Sequence, residues 1–227
     1  MSQTLAKEIA KAIEQDIIDK KLIPKQKIPS EQLLVEKFAV SRSTIRESIK
    51  ILISKGILEI HRGKGTFVCD TPGICEDPLG FNFLNIININ DYLYETREIF
   101  EPSICKLVVE RATDAEIEKI GKIAKEMEKL DKEIINSIPS EKMIFKFYKL
   151  DISFHTLLCT LSKNPIIERL IPVVIQSIEK SYIPEIFLKK LTKGNRQSTH
   201  TYIYLALKER NADLAFKLMQ QHLKNKK

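Results

Sequence analysis

The chain has 227 residues, enough for one large or two ordinary domains, and its hydrophobic fraction of 43% suits a packed core. A formal net charge of +7 favours polyanionic partners, with a solvated lysine-rich surface as the plain alternative. No apolar run reaches the roughly 20 residues of a membrane span, the start MSQTLAKEIAKAIEQD has no apolar signal core, and Cys69, Cys75, Cys105 and Cys159 form no CxxC pair, so the expectation is a cytoplasmic protein with reduced thiols and no disulfide framework.

Leu5, Ile9, Ile13 and Ile17 recur every four residues and predict an amphipathic helix over 4–20. Pro24 and Pro29 punctuate the loop that follows. Ser30 is placed to cap a second helix, 31–38, with Leu33, Leu34 and Phe38 as its apolar set. After a tight break at Ala39-Val40-Ser41 comes a third helix, 42–55. Ile45, Ile49, Leu52 and Ile53 fill its core face, and Arg42, Arg46 and Lys50 line another. Gly56 ends it, and 57–60 and 66–68 read as two short strands around the tip His61-Arg62-Gly63-Lys64-Gly65. Three helices and a small β wing make a winged helix-turn-helix. In such a fold the third helix enters a major groove of DNA. Ser41, Arg42, Ser43, Thr44 and Arg46 would meet bases and phosphates there, and Arg62, Gly63 and Lys64 would contact DNA through the wing.

Asp70-Thr71-Pro72-Gly73 closes the wing. A linker over 71–78 is expected to separate a first domain, 1–70, from a second, 79–227. Residues 79–87 (LGFNFLNII) read as a short apolar helix or turn. A helix over 91–111 follows, with Leu93, Ile99, Ile104 and Val108 as buried candidates. Thr113-Asp114-Ala115-Glu116 matches a capping box and opens a helix to 136, ahead of Pro139. The next helix, 141–161, carries Phe145, Tyr148, Ile152 and Leu158. Asn164-Pro165 starts one to 182, which Pro172 is expected to kink or break. Pro184 precedes a short helical segment ending near Gly194, and helices over 196–209 and 212–224 finish the chain. The fold class is mainly α: a winged helix-turn-helix followed by an all-α bundle of six or seven helices.

Three of the four histidines, His155, His200 and His222, fall in the bundle. Asp151 lies one helical turn before His155, so carboxylate and imidazole share a face and can chelate one ion. A DxxxH pair on a helix is more often a surface pair or an N–H···O bridge. His200 and His222 on two other helices strengthen the metal reading. One Asp and three His suit a divalent transition metal, Zn first and Ni, Mn or Fe as alternatives, with positions left for water or a carboxylate.

The N-terminal part resembles the DNA-binding domain of GntR-type bacterial transcriptional regulators. The matching residues are Ile28-Pro29-Ser30-Glu31, Val40-Ser41-Arg42-Ser43-Thr44-Ile45-Arg46-Glu47, Gly56-Ile57-Leu58 and Gly63-Lys64-Gly65-Thr66-Phe67-Val68. The C-terminal part resembles the FCD ligand-binding domain of the FadR subgroup. Glu95-Thr96-Arg97-Glu98-Ile99-Phe100-Glu101 is similar to its first long helix and Asp151-Ile152-Ser153-Phe154-His155 to its metal-binding helix. His200 with Ile203 and Ala206, and Ala215, Met219 and His222-Leu223, are similar to its last two helices. The resemblance implies that Asp151, His155, His200 and His222 are metal ligands. It also implies a small organic-acid or sugar-acid effector beside the ion. Arg97 is then the candidate for its carboxylate, or the partner of Glu101 one turn on, and Arg196 is a second candidate.

The sequence departs from the family pattern in four places. Lys25 follows Pro24 where the family usually has glycine. Gln32 stands where an Arg often reads a base; Gln favours the adenine edge over guanine. Thr199 stands where the family often has Glu, so a partner for the metal ligands is expected to be missing there. Asn211 replaces the usual Asp that opens the last helix, and caps equally well. The expected protein is not an enzyme. It is a homodimeric DNA-binding transcriptional regulator, a repressor by expectation, on a near-palindromic operator. The alternatives are a metal-dependent hydrolase or lyase and a pure metal sensor built on the same bundle.

Overall fold

In the computed structural model the described residues are 2–74, 78–80, 88–180 and 199–224. Helix α1 (Ser2–Ile18) buries Ala6, Ile9, Ala10 and Ile13. The expected line 5–9–13–17 is corrected here, because Leu5 is 41% exposed. A helix turns about 100° per residue, so strict four-residue steps wind off the buried face. Helix α2 (Glu31–Phe38) contributes Leu34 to the core and leaves Leu33 exposed. Helix α3 (Arg42–Ser54) sinks Ile45, Ile49 and Leu52 against α1 and α2. Each such side chain, fully buried, contributes roughly 1.5–3 kcal/mol. Gly56, at φ 65°, turns the chain into an antiparallel hairpin of β1 (Leu58–His61) and β2 (Gly65–Val68), in the register Leu58↔Val68 to His61↔Gly65. Leu58 and Val68 close the core, and Ile28 joins it from the loop before α2.

The chain folds as two units, Met1–Asn85 and Ile86–Lys227. Their boundary falls inside the stretch 79–87, most of which lies outside the described residues, as does the segment between Pro184 and Gly194. The second unit is all helical: α4 (Ile89–Arg111), α5 (Asp114–Asn136), α6 (Glu141–Leu161), α7 (Pro165–Lys180), α8 (Thr199–Lys208) and α9 (Ala212–Lys224). Among the described residues it has six helices. Helix α5 begins with the full reciprocal capping box of Thr113 and Glu116. Helix α7 continues through Pro172 rather than ending there. Asn211 caps α9, its side-chain oxygen accepting from Leu214 N at 3.0 Å. The main core joins Ile104, Val108, Ile117, Ile120, Phe154, Leu158, Ile203 and Met219.

One expectation for this core is corrected. Ile99 is 64% exposed, and α4 instead turns Leu93, Arg97, Glu101, Ile104, Cys105 and Val108 inward. On α6 Phe145 is exposed, while Ile144 and Phe147 are buried. Gly121 of α5 faces the Tyr204 side chain of α8. A Cβ there would lie 2.5 Å from the ring of Tyr204, one turn beyond His200. No helix among the described residues is long and apolar enough to cross a membrane.

Candidate functional site

In the first unit the turn between α2 and α3 is held by side-chain caps. Ser30 Oγ accepts from Leu33 N at 3.3 Å and Ser41 Oγ from Thr44 N at 3.2 Å. Between them Ala39 takes the left-handed conformation, φ 52°, which closes the turn at some steric cost. Ser41 Oγ also lies 2.8 Å from both Ser43 Oγ and Thr44 Oγ1. Thr44 is buried beside the cap, 8% exposed. Gln32, Arg42, Ser43 and Arg46 are exposed. The Arg46 guanidinium donates from Nε to Glu31 Oε2 at 2.9 Å, and Gln32 makes only a long 3.4 Å contact to Glu36. At the wing tip Arg62, Gly63 and Lys64 are all exposed. Gly65, at φ 117°, holds a backbone conformation that side chains rarely adopt, and the end of the Lys27 side chain lies 2.6 Å from where a Cβ would be.

In the second unit four side chains from three helices converge. Asp151 and His155 come from α6, His200 from α8 and His222 from α9. All four are buried, and their ligand atoms lie within 4.8 Å of one another. His200 Nε2 is 3.0 Å from Asp151 Oδ1, His155 Nε2 is 3.3 Å from His222 Nε2, and His155 Nε2 is 3.8 Å from Asp151 Oδ1. Ligands at about 2.0–2.2 Å from one ion stand about 3.0–3.5 Å from their neighbours by geometry. Two of these separations lie in that range, and the wider ones, up to 4.8 Å within the cluster, would close when one ion draws the four groups in. Two neutral imidazoles that turn unprotonated nitrogens toward each other repel, and a cation between them removes that cost. Phe154 walls the cluster, edge-on to the rings of His155 and His200 at 5.4 and 4.9 Å.

The surroundings of the ligands hold two contacts that sequence spacing does not reveal. Thr199 Oγ1 lies 2.6 Å from His222 Nδ1, so the residue that replaces a frequent glutamate still supplies a partner, and the expectation of a missing one is corrected. Glu101 Oε2 lies 2.5 Å from His155 Nδ1, off the ideal N–H axis. Glu101 in turn accepts from Arg97 Nε at 2.5 Å, with Arg97 3% and Glu101 2% exposed. Of the two roles expected for Arg97, pairing with Glu101 is the one the structure displays. Arg196 lies outside the described residues.

Charge interactions set the ionisation here. Burial would raise the Glu101 carboxyl, but Arg97 and His155 hold it down at about 2. Burial would lower the Arg97 pKa, and Glu101 raises it instead. Burial pushes His155 below its ordinary value against the pull of Glu101, which favours the neutral imidazole near pH 7. Arg97 also lies beside the ring of Tyr94, 5.7 Å from its centroid, and burial raises the Tyr94 hydroxyl. The one signal for Glu101 in the sequence is its place on the helical stripe of Leu93, Arg97, Ile104 and Val108, where a carboxylate needs a partner.

Both units match known proteins. The profile of bacterial regulatory proteins of the gntR family matches residues 5–68, and that of the FCD domain matches residues 92–225. The chain is 28% identical over 193 residues to the HTH-type transcriptional regulator LutR of Bacillus subtilis (strain 168), covering 83% of this chain and 84% of that protein. It is 27% identical over 188 residues to the galactonate operon transcriptional repressor of Escherichia coli (strain K12), covering 78% and 76%. Among solved structures, Streptococcus agalactiae GntR superposes with a TM-score of 0.72 at 29% identity, covering 96% of this chain and 97% of that one.

Proposed function

This chain belongs to the GntR family of bacterial regulatory proteins and carries an FCD domain, and from that premise we propose that a small carboxylate, bound beside a divalent metal in the helical unit, controls its binding to operator DNA. The family and the relatives are DNA-binding transcriptional regulators, not enzymes. The observation that carries the proposal is the buried Asp151, His155, His200 and His222 cluster with Arg97 beside it. Arg97 brings one positive charge, and Glu101 and Asp151 one negative charge each, so the buried groups are net negative. A divalent ion makes the site net positive by one. A monoanionic carboxylate then neutralises it, and the bound ion supplies the open positions that its oxygens take.

Gln32, Ser41, Arg42, Ser43, Arg46 and the wing tip Arg62, Gly63 and Lys64 form the DNA contacts of this proposal, with Gln32 favouring an adenine edge. A homodimer would set two heads on the half-sites of a near-palindrome. The effector acts by binding two dimer states with different affinity. The relative named for a galactonate operon makes sugar acids the first class to test.

The test is thermal unfolding of the purified protein with galactonate, related aldonic acids and acetate, before and after chelation, alongside binding to DNA from its own upstream region. A carboxylate should raise the unfolding midpoint only in the metal-loaded protein and change DNA affinity at constant metal. If only the ion changes DNA affinity, the protein is a metal sensor and the effector proposal fails.

A further inference from the structure

We propose that Glu101 is a positioning residue for the metal centre: it holds His155 in the tautomer whose Nε2 lone pair faces the ion, and Arg97, bound to the other carboxylate oxygen, fixes where Glu101 sits. The inference rests on reading the Asp151, His155, His200 and His222 cluster as a metal site. It concerns α4, a helix that supplies no ligand of its own.

A neutral imidazole has one N–H and one lone pair, and either nitrogen can carry the proton. An ionised carboxylate only accepts. With Glu101 Oε2 at 2.5 Å from Nδ1, the His155 proton belongs on Nδ1. Nε2 is then left unprotonated, toward Asp151 Oδ1 at 3.8 Å and His222 Nε2 at 3.3 Å. The opposite tautomer would put N–H where a ligand lone pair is needed. His222 lacks such a determinant, because the Thr199 hydroxyl at its Nδ1 can donate or accept. Glu101 is 2% exposed. The guanidinium of Arg97, bound through Nε to the other carboxylate oxygen, holds the carboxyl group against His155. Carboxylate and histidine then form the pair that orients a metal ligand and raises its basicity. The off-axis approach of the carboxylate is the slack that metal loading would take up.

The experiment uses the full chain with Zn²⁺ and Ni²⁺ as probes in competition with a chromophoric chelator. Nitrogen-15 histidine spectra of the chelated protein report the tautomers. The wild type should bind metal and show His155 protonated on Nδ1. Glu101→Gln should bind about 10–100-fold more weakly and show a mixed His155 tautomer, with helicity unchanged. Should that variant fail to fold, the paired change Arg97→Met with Glu101→Leu leaves no buried charge stranded, and the same losses are expected of it. If the variant that folds keeps wild-type affinity and tautomer, the positioning role is overturned while the metal site stands. If the wild type itself competes for neither ion, the metal reading falls and takes this inference with it.

Discussion

Two Arg–Glu pairs in this chain are built from the same side chains and sit in opposite surroundings. Arg46 and Glu31 meet at the surface of the first unit, with side chains 64% and 41% exposed. Arg97 and Glu101 meet inside the second, 3% and 2% exposed. The exposed pair is worth about 0–1 kcal/mol and is screened by salt, so a phosphate or a base edge can take over the guanidinium at little cost. The buried pair has no water to fall back on, and stranding either partner leaves an uncompensated charge. The first arrangement suits a surface that must exchange partners with a polyanion. The second suits a site where charge has to stay in place.

That contrast can be challenged at several points. The largest expected effect is from Glu101→Ala, which strands Arg97 and should lower the stability of the helical unit by about 3–5 kcal/mol in denaturant unfolding. A loss under about 1 kcal/mol would place that pair with the surface kind. His200→Ala should take metal content in the purified protein from one per chain toward none by elemental analysis; full stoichiometry would remove His200 from the ligand set. Arg46→Ala should weaken operator binding by about 1–3 kcal/mol and reduce the salt slope by about one, with an unchanged unfolding midpoint. An unchanged salt titration would take Arg46 out of the interface. Ser41→Ala should cost about 1 kcal/mol of stability through the lost cap.

Acid should expose the same difference. Glu101 titrates at about 2 in the fold against an ordinary 4.5, so its contribution is complete above 4.5 and is lost as pH falls toward 2. Burial lowers His155 below 6.5, so the unfolded chain takes up a proton that the folded chain refuses, and stability already declines below that pH. The unfolding midpoint of the chelated protein should therefore drop steadily from pH 7 to pH 4. A flat profile over that range would mean that His155 is not held as described; the Glu101 part is read as a further loss between pH 4.5 and pH 2.

Much of the fold is legible in the sequence because caps and periodicity are local. Ser30, Ser41, Thr113, Ser140 and Asn211 cap the helices they precede, and α2, α5, α6 and α9 span the residues that pattern indicates. The four candidate ligands are legible because chelation favours a few residue types, and the structure brings all four together. Which way a helix face turns is not written locally. Ala6 rather than Leu5, and Glu101 rather than Ile99, go inside, because neighbouring helices decide which stripe is covered. The role of Glu101 is hidden for the same reason. A glutamate one turn from an arginine looks like surface decoration until α6 supplies His155 against it. The burial of Thr44 is likewise hidden: its place at the start of α3 suggests an outward face, and its hydroxyl packs on Ser41.

Gly121 lies on α5, which supplies none of the candidate ligands, yet it bears on the helix that carries one. Its missing carbon is the notch in which the ring of Tyr204 rests, and Tyr204 is one turn from His200. A single added methyl would have to displace that ring. Metal–ligand distances are held to about 0.2 Å, so a Gly121→Ala change that reached α8 through the ring would be read at His200.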